Sequence, residues 1–218
     1  ILFQPEIRKA LEQMGRNKFG HSIANAVTGK SKYDNFTQAD KAIDSVVEAT
    51  AILQQLRMGA LIVFEKKSML DEIIKTGTSI EAEPSAQLIA NIFYNKAPLH
   101  DGAMIIRGYK VFAAGCILPL SNRANISASL GTRHRAAIGL SEDSDAVIVV
   151  VSEETGQVSV AKDGLLTRNL TRVSLREYLD KHAFVMDEKA AGRSKSLFRN
   201  FSIFSRKGKK EVDNDEEE

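Results

Sequence analysis

The segment His100-Asp101-Gly102 contains residue types that can bind a metal ion or move a proton. It lies between Pro98, which ends a predicted helix, and an apolar run that begins at Ala103. At such a junction the Asp101 carboxylate can bind a divalent metal ion or accept a proton from a hydroxyl group, and His100 can bind the same metal ion. Gly102 lets a ligand approach the backbone closely. Taken alone, the spacing favours a simpler interpretation, an Asp-Gly turn beside a structural histidine.

A second segment, Gly131-Thr132-Arg133-His134-Arg135, opens a predicted helix and carries positive charge at its start. The free amides and the dipole of a helix N-terminus attract anions, to which Thr132 adds a hydroxyl group and Arg133 a fixed charge. Successive helical side chains point about 100° apart, so three neighbours cannot all face one phosphate. We therefore expect Thr132 and Arg133 to face a bound anion, with His134 beside it. A basic surface turn is about equally compatible with this segment.

The third segment, Ser152-Glu153-Glu154-Thr155-Gly156, follows the β-branched run that ends at Val151. Burial fixes the end of such a strand, so one of the two glutamates can complete a divalent metal site with Asp101. Alone, this segment is more typical of a solvated hairpin turn. Together, the three segments supply acids, an imidazole, a glycine and an anion-binding helix start. These are the parts needed for chemistry on a nucleoside triphosphate assisted by Mg²⁺ or Mn²⁺.

The elements that must position these segments alternate between helices and strands. The clearest helix is predicted over 37–58, where Thr37 can cap it and apolar residues line one broad face, and a loop or linker is predicted over 16–36. Further helices are predicted over 5–15, 70–75, 85–95, 130–140 and 174–182, and strands over 60–64, 103–106, 111–118, 146–151, 157–161 and 165–170. This order indicates a mixed α/β domain over 35–185, with a central mixed β-sheet flanked by helices.

The composition excludes several classes of protein. Of the 218 residues, 43% are hydrophobic and 27% are charged, which excludes wholesale disorder and collagen. The net charge of +2 does not suggest a nucleic-acid binder. Cys116 is the only cysteine, so no intrachain disulfide can form. The apolar stretch 102–120 contains Arg107 and Lys110, and it is better explained as two strands than as a membrane span.

The two ends of the sequence differ in character from the predicted domain. Residues 1–34 are interpreted as a helix and linker, and because the chain begins with Ile1, we expect a missing N-terminal part that could contain membrane helices. Residues 186–218 are predicted to form a charged, disordered tail, with seven basic residues in 193–210 and six acidic residues in 211–218. Phe198 and Phe201 lie within the basic part, so a short amphipathic contact for a membrane surface or a partner is the alternative.

Taken in order, the motifs resemble those of diadenylate cyclase domains, which make cyclic di-AMP from two molecules of ATP. The paired signature is Asp101-Gly102-Ala103 followed by Gly131-Thr132-Arg133-His134-Arg135. The resemblance spans about residues 1–182 and is strongest to the membrane-anchored bacterial type, in which transmembrane helices precede the cyclase domain. Further matching motifs lie at 70–77, 98–103, 118–121, 131–139 and 151–156.

This resemblance implies roles for individual residues near the reacting groups. Asp101 is expected to act on the attacking ribose 3′-hydroxyl and to help to hold Mg²⁺ or Mn²⁺, with His100 as a further metal ligand. Glu154 is expected to assist the metal ion and the phosphates, and Ser152 to lie near them. Gly102 is expected to let the nucleotide pack against the backbone.

The resemblance also implies how the rest of the nucleotide is bound. The triphosphate is expected to be held by Thr132, Arg133 and His134. Ile117 and Leu118 lie where the family contacts adenine, and relatives often have tyrosine at the first of these positions. Since isoleucine supplies burial but no ring stacking, we expect weaker ATP affinity or weaker base selectivity here.

At the level of the whole protein, the resemblance implies a face-to-face homodimer. Each domain is expected to hold one ATP, and each 3′-oxygen attacks the α-phosphorus of the other ATP with loss of pyrophosphate. A membrane-linked regulator and phosphoglucosamine mutase are the implied partners, and no nucleic acid is expected. The implied location is the cytoplasmic side of the cell membrane. The alternative function is a catalytically silent nucleotide-binding sensor of the same fold.

Overall fold

The computed structural model describes residues 30–123 and 130–184, with side chains from residue 35 onward. The helix predicted over 5–15 and the tail predicted over 186–218 lie outside these ranges. The described residues up to Ala183 belong to one compact unit. No helix within the described ranges is long and apolar enough to cross a bilayer.

A long helix, α1 (Lys30–Leu56), opens the described part of the chain. It buries the apolar face that the sequence predicts, including Ile43, Val46 and Leu53. The predicted start at Thr37 is wrong, as is the predicted linker over 30–36, because the helix already includes these residues. Residues 30–36 lack the helical spacing of apolar residues, but they contain neither glycine nor proline, so no residue among them ends the helix. Each added residue gains one backbone hydrogen bond, which favours extension.

Seven strands form one mixed sheet in the described ranges, and this agrees with the predicted fold class. The strands are β1 (Ala60–Phe64), β2 (Thr78–Ala82), β3 (Ala103–Arg107), β4 (Lys110–Cys116), β5 (Val147–Val151), β6 (Val158–Lys162) and β7 (Leu165–Thr167). Their order across the sheet is β2-β4-β3-β1-β5-β6-β7, and β1 and β3 pair in parallel whereas the other described pairs are antiparallel. Strand β2 was not predicted from the sequence, because this polar and largely exposed edge strand lacks an apolar pattern.

Four shorter helices complete the fold in the described ranges: α2 (Asp71–Ile74), α3 (Ala86–Ile92), α4 (Thr132–Asp143) and α5 (Arg172–His182). Helix α3 is capped by the Ser85 hydroxyl oxygen, which accepts the N–H of Leu88. Helix α5 begins earlier than predicted, because Thr171 and Ser174 form a reciprocal capping box at its start. The helices predicted over 70–75, 85–95, 130–140 and 174–182 therefore exist with small shifts of their ends.

The core lies on both faces of the central strands. All residues of β1 and β5 are buried, which is why each strand reads as a continuous apolar run. Leu61 and Val150 pack on one face with Ala137 and Leu140 of α4. This packing fixes the start of α4 relative to the sheet.

The strand register brings distant segments to one edge of the sheet. Ala60 at the start of β1 pairs with Val151 at the end of β5, and Ala103 at the start of β3 pairs with Cys116 at the end of β4. The residues just before β1 and β3 and just after β4 and β5 therefore emerge together. Residues with a predicted role occupy three of these four positions: 100–102 before β3, 117–118 after β4 and 152–156 after β5.

Candidate active site

A cavity of about 820 Å³ lies at this edge of the sheet. Every residue that the sequence analysis selected for a functional role lines it, so the Asp101 carboxylate and the Arg133 guanidinium share one cavity. The ten residues are His100, Asp101, Gly102, Ile117, Leu118, Thr132, Arg133, His134, Ser152 and Glu154. Arg135 is not among the lining residues, which agrees with the expectation that the three neighbours 133–135 do not all face one ligand.

Asp101 and Gly102 lie at the start of β3. Asp101 is exposed, and its side chain makes no hydrogen bond or ion pair with any described residue. Gly102 has a φ of +127°, and a Cβ there would lie 2.6 Å from the carbonyl carbon of Gly115. Glycine is therefore required by the backbone conformation and by the close approach of β4, a structural reason that is independent of any ligand.

The His100 ring is oriented by the backbone. Its Nδ1 lies 2.6 Å from the carbonyl oxygen of Ala97. When Nδ1–H donates to that oxygen, Nε2 carries a lone pair that is available to a metal ion or a hydrogen-bond donor. The orientation of the ring is thus compatible with the role that the sequence analysis expects.

The start of α4 combines free amides with an engaged guanidinium. Gly131 is the N-cap residue and provides no side-chain cap, and the N–H groups of Thr132 and Arg133 have no acceptor among the described residues, so they can bind an anion. The Arg133 Nη1 donates to the Glu153 Oε2 at 2.6 Å. From the sequence, either glutamate could bind a metal ion; in the structure Glu153 is in an ion pair, whereas Glu154 has an exposed side chain.

His134 lines the cavity but is buried. Burial lowers the pKa of its imidazole, the nearby positive charge of Arg168 lowers it further, and the Glu154 carboxylate opposes this shift. The imidazole is therefore neutral near pH 7 and can offer a hydrogen bond, but no positive charge, to a phosphate.

The turn after β5 is held by its own hydrogen bonds and by the end of α1. The Gly156 N–H donates to the Ser152 carbonyl oxygen at 2.8 Å. The Gln54 Nε2 donates to the Gly156 carbonyl oxygen at 2.9 Å, and the Arg57 Nη1 donates to the Glu154 carbonyl oxygen at 2.8 Å. The turn thus has a fixed backbone from which the Ser152 and Glu154 side chains reach the cavity.

An apolar wall lies on the β4 side of the cavity. Ile117 is 70% exposed, and its N–H donates to the Thr76 Oγ1 at 2.8 Å. Leu118 is buried, whereas Leu120 also lines the cavity with half of its surface exposed. Exposed apolar side chains in a cavity are suited to cover a flat apolar ligand group.

The acids and imidazole of the cavity do not form a pre-assembled metal site. Within 30–123 and 130–184, no three His, Cys, Asp or Glu side chains lie close enough together to hold a metal ion. Mg²⁺ in phosphate sites is commonly held by one or two carboxylates together with phosphate oxygens and waters. The exposed Asp101 carboxylate, which pairs with no described residue, fits that pattern, with His100 and Glu154 on the same cavity.

Two charged lining residues have positions in the cavity that the sequence did not predict. Glu153 is the ion-pair partner of Arg133, and Arg168, which follows β7, makes no ion pair in the described part of the chain. Arg168 follows β7 as Glu154 follows β5, whereas the strand predicted over 165–170 was too long and included Arg168. The sequence does not say that both strands end at the same edge, so this signal could not be used.

Comparison with known proteins identifies the class to which this chain belongs. The family model described as DisA bacterial checkpoint controller nucleotide-binding matches residues 47–166, which is more than half of the chain. The chain therefore belongs to this family of nucleotide-binding domains, and the resemblance to diadenylate cyclase domains is confirmed.

Individual relatives are similar over most of the chain. Cyclic di-AMP synthase CdaA of Bacillus subtilis is 43% identical over 180 residues, covering 83% of this chain and 63% of that protein. A diadenylate cyclase of Listeria monocytogenes is 39% identical over 189 residues, covering 87% of this chain and 66% of that protein. The chain thus spans slightly less than two thirds of the length of these relatives.

Solved structures support the same fold. A double cysteine mutant of DacA from Staphylococcus aureus matches with a TM-score of 0.65 and 50% identity, covering 66% of this chain and 97% of that one. A hypothetical membrane spanning protein from Bacillus cereus matches with a TM-score of 0.58 and 38% identity, covering 77% of this chain and 86% of that one.

Proposed function

We propose that this chain contains the catalytic domain of a diadenylate cyclase, which converts two molecules of ATP into cyclic di-AMP and two pyrophosphates. The observation that carries the proposal is the single cavity shared by Asp101, the start of α4 and the turn after β5. An acid, a guanidinium and free helix amides are the groups that nucleotidyl transfer needs around a triphosphate. The names of the relatives, cyclic di-AMP synthase and diadenylate cyclase, point to the same reaction.

In this mechanism Asp101 acts on the attacking ribose hydroxyl. Its exposed carboxylate accepts the proton of the 3′-hydroxyl as the oxygen attacks the α-phosphorus of the other ATP. Thr132, Arg133 and the amides at the start of α4 bind the triphosphate and stabilise the charge that develops on it. The neutral His134 adds a hydrogen bond, and Ser152 lies beside the phosphates.

Membership of the family implies a divalent metal ion, and we propose Mg²⁺ or Mn²⁺. Asp101 would hold it, with Glu154 and His100 as further ligands and phosphate oxygens completing the set. When bound, the ion supplies neutralisation of phosphate charge. The backbone at Gly102 lines the cavity, and the nucleotide is proposed to pack against it.

The base is proposed to pack against the apolar wall of the cavity. Ile117 and Leu118 offer apolar surface that adenine would cover on binding, without the stacking that an aromatic ring would give. The domain predicted over 35–185 would then contain all the groups that bind one ATP. The N-terminal segment 1–34 would connect this domain to a membrane anchor and so place it on the cytoplasmic side of the cell membrane. The name of the Bacillus cereus relative, a membrane spanning protein, is compatible with this location.

The reaction requires two domains. One cavity binds one ATP, and the product contains two identical linkages, so two cavities must face each other across a twofold axis. A partner that covers this face would stop the reaction without entering the cavity. A membrane-linked regulator and phosphoglucosamine mutase, which the resemblance implies, are proposed as partners of this kind, and no nucleic acid takes part.

The proposal is tested by product analysis across a protein dilution series. The chain is incubated with ATP and either Mg²⁺ or Mn²⁺, and cyclic di-AMP and pyrophosphate are quantified by chromatography and mass spectrometry. We expect product, with a specific activity that rises with protein concentration because the active form is a dimer. Calorimetric binding of ATP without product at high protein concentration, with either metal, would instead identify a nucleotide sensor.

Arg168 gives a second expected result. Arg168 has no ion-pair partner among the described residues, and a guanidinium on a cavity that receives a triphosphate is expected to bind phosphate oxygens. Arg168→Gln should therefore raise the KM for ATP about tenfold, which is about the contribution of one charged hydrogen bond to binding. The value of kcat should stay within about threefold of that of the unaltered chain. Arg172→Gln, which removes an exposed arginine paired with Glu48 away from the cavity, is the matched control. An unchanged KM in the Arg168 variant would exclude it from phosphate binding.

A further inference from the structure

Gly59 is a buried glycine directly before β1, and its backbone does not explain its identity. Its φ lies outside the left-handed region, so an alanine could adopt the same conformation. A Cβ at this position would lie 2.5 Å from the Arg133 Nη1 and 2.8 Å from the Arg133 Cζ. The guanidinium of Arg133 thus occupies the space over Gly59, which only a residue without a side chain leaves open.

Glu153 holds the same guanidinium from a second direction. Its Oε2 accepts the Arg133 Nη1–H at 2.6 Å and would lie 3.1 Å from a Cβ at Gly59. A hydrogen bond between a guanidinium and a carboxylate is short, directional and stronger than one between neutral groups. The Arg133 side chain is 23% exposed, so it is enclosed as well as paired.

We propose that Gly59 and Glu153 form a seat that fixes the Arg133 guanidinium in the cavity before the substrate binds. Both are positioning residues, because each acts through Arg133. The inference rests on the proposed function in one respect, namely that Arg133 acts on the triphosphate. A long arginine side chain that is already held in its working geometry needs no reorganisation when charge develops on a phosphate.

The contacts of other glycines show why Gly59 is suited to a test. At Gly102 and Gly139 an added Cβ would meet backbone atoms, which cannot move without disturbing the fold. At Gly59 the atoms it would meet are the ends of two flexible side chains. Gly59→Ala should therefore fold normally and move the guanidinium, so that the variant isolates the position of Arg133 from the presence of its charge.

The experiment compares Gly59→Ala with Gly108→Ala in the full chain. Gly108 lies in the β3–β4 turn, where an added Cβ would meet nothing within 4 Å, although its φ of +54° imposes some backbone strain. In Gly59→Ala we expect kcat to fall about ten- to a hundredfold, because a displacement of the guanidinium by about 1 Å can lower the rate by this factor. The KM for ATP should change less than about threefold. Gly108→Ala should retain the kcat and KM of the unaltered chain.

Two further measurements separate positioning from general destabilisation. In an Arg133→Ala background, Gly59→Ala should cause no further loss of residual activity, because its effect acts through the missing side chain. Glu153→Ala should reduce kcat in the same way as Gly59→Ala, and Glu153→Gln, which keeps a hydrogen-bonding group, should recover part of it.

The position of the guanidinium can also be measured without activity. The Nε–Hε resonance of Arg133, assigned by its absence in Arg133→Ala, should shift in Gly59→Ala and stay in place in Gly108→Ala. If the chain makes cyclic di-AMP but Gly59→Ala leaves the Arg133 resonance or kcat unchanged, the proposed positioning role of Gly59 and Glu153 is wrong and the proposed function stands. A shifted resonance in a chain that makes no product would retain the seat and reject the cyclase function.

Discussion

Asp101→Asn should lower the rate of cyclic di-AMP formation by about 10²–10⁴-fold, the range that a positioned acid–base group contributes. Asparagine keeps the shape of the side chain, but it neither accepts the 3′-hydroxyl proton nor provides a charged metal ligand. Asp101 is exposed, and its side chain makes no hydrogen bond or ion pair with the described residues, so the fold should be unaffected. Initial rates at saturating ATP and metal ion, measured beside thermal unfolding, test both expectations.

The matched control for this variant is Asp143→Asn. Asp143 is an exposed acid at the last residue of α4, outside the cavity, so its replacement changes the net charge equally. The control should retain the rate of the unaltered chain. If Asp101→Asn kept full activity, Asp101 would have no role in the reaction, and another group would have to accept the proton.

Arg107→Ala should lower the free energy of unfolding by about 3–5 kcal/mol, the cost of leaving a buried charge without its partner. The Glu65 side chain is 3% exposed and accepts hydrogen bonds from the Arg107 Nε at 2.6 Å and Nη2 at 2.7 Å. The Leu70 N–H donates to the same carboxylate at 2.9 Å, and it alone cannot replace the lost guanidinium. The hydrogen bonds that Arg107 donates to Glu65 are the main cause of the raised pKa of Arg107.

Urea unfolding measures this effect against an exposed ion pair. In the pair formed by Lys75 and Glu72 the side chains are 68% and 86% exposed, so Lys75→Ala should cost less than about 1 kcal/mol. Adding Glu65→Gln to Arg107→Ala should restore part of the lost stability, because a neutral amide is less costly to bury than a carboxylate. A cost for Arg107→Ala no larger than that of the control would refute the importance of the buried pair.

This ion pair and the cavity lie at opposite ends of the same strands. Glu65 follows β1 and Arg107 ends β3, whereas Gly59 and Asp101 precede these strands. The stabilising pair therefore joins the buried Glu65 to the partly exposed Arg107, and the charges proposed to act on phosphate lie around an open cavity. Substitutions at the two ends should accordingly separate into effects on stability and effects on turnover.

Much of the fold could be predicted from the sequence because its signals are local. The sequence predicts buried strands over 60–64 and 146–151, where β1 and β5 lie, since sustained apolar, β-branched sequence is typical of strands covered on both faces. The start of α1 and the strand β2 were missed. A polar helix start and a polar edge strand depend on neighbours that are distant in sequence and leave little local pattern.

The sequence by itself determined which segments carry reactive groups: they lie where buried elements begin or end, and such boundaries are marked locally by proline, glycine and changes of polarity. It also determined the family, through motifs that occur in order. Only the tertiary structure decided that Arg133 pairs with Glu153 over Gly59, and that Arg168 reaches the same cavity. Strand order and side-chain rotamers set these contacts, and both depend on packing between residues that are far apart in the chain.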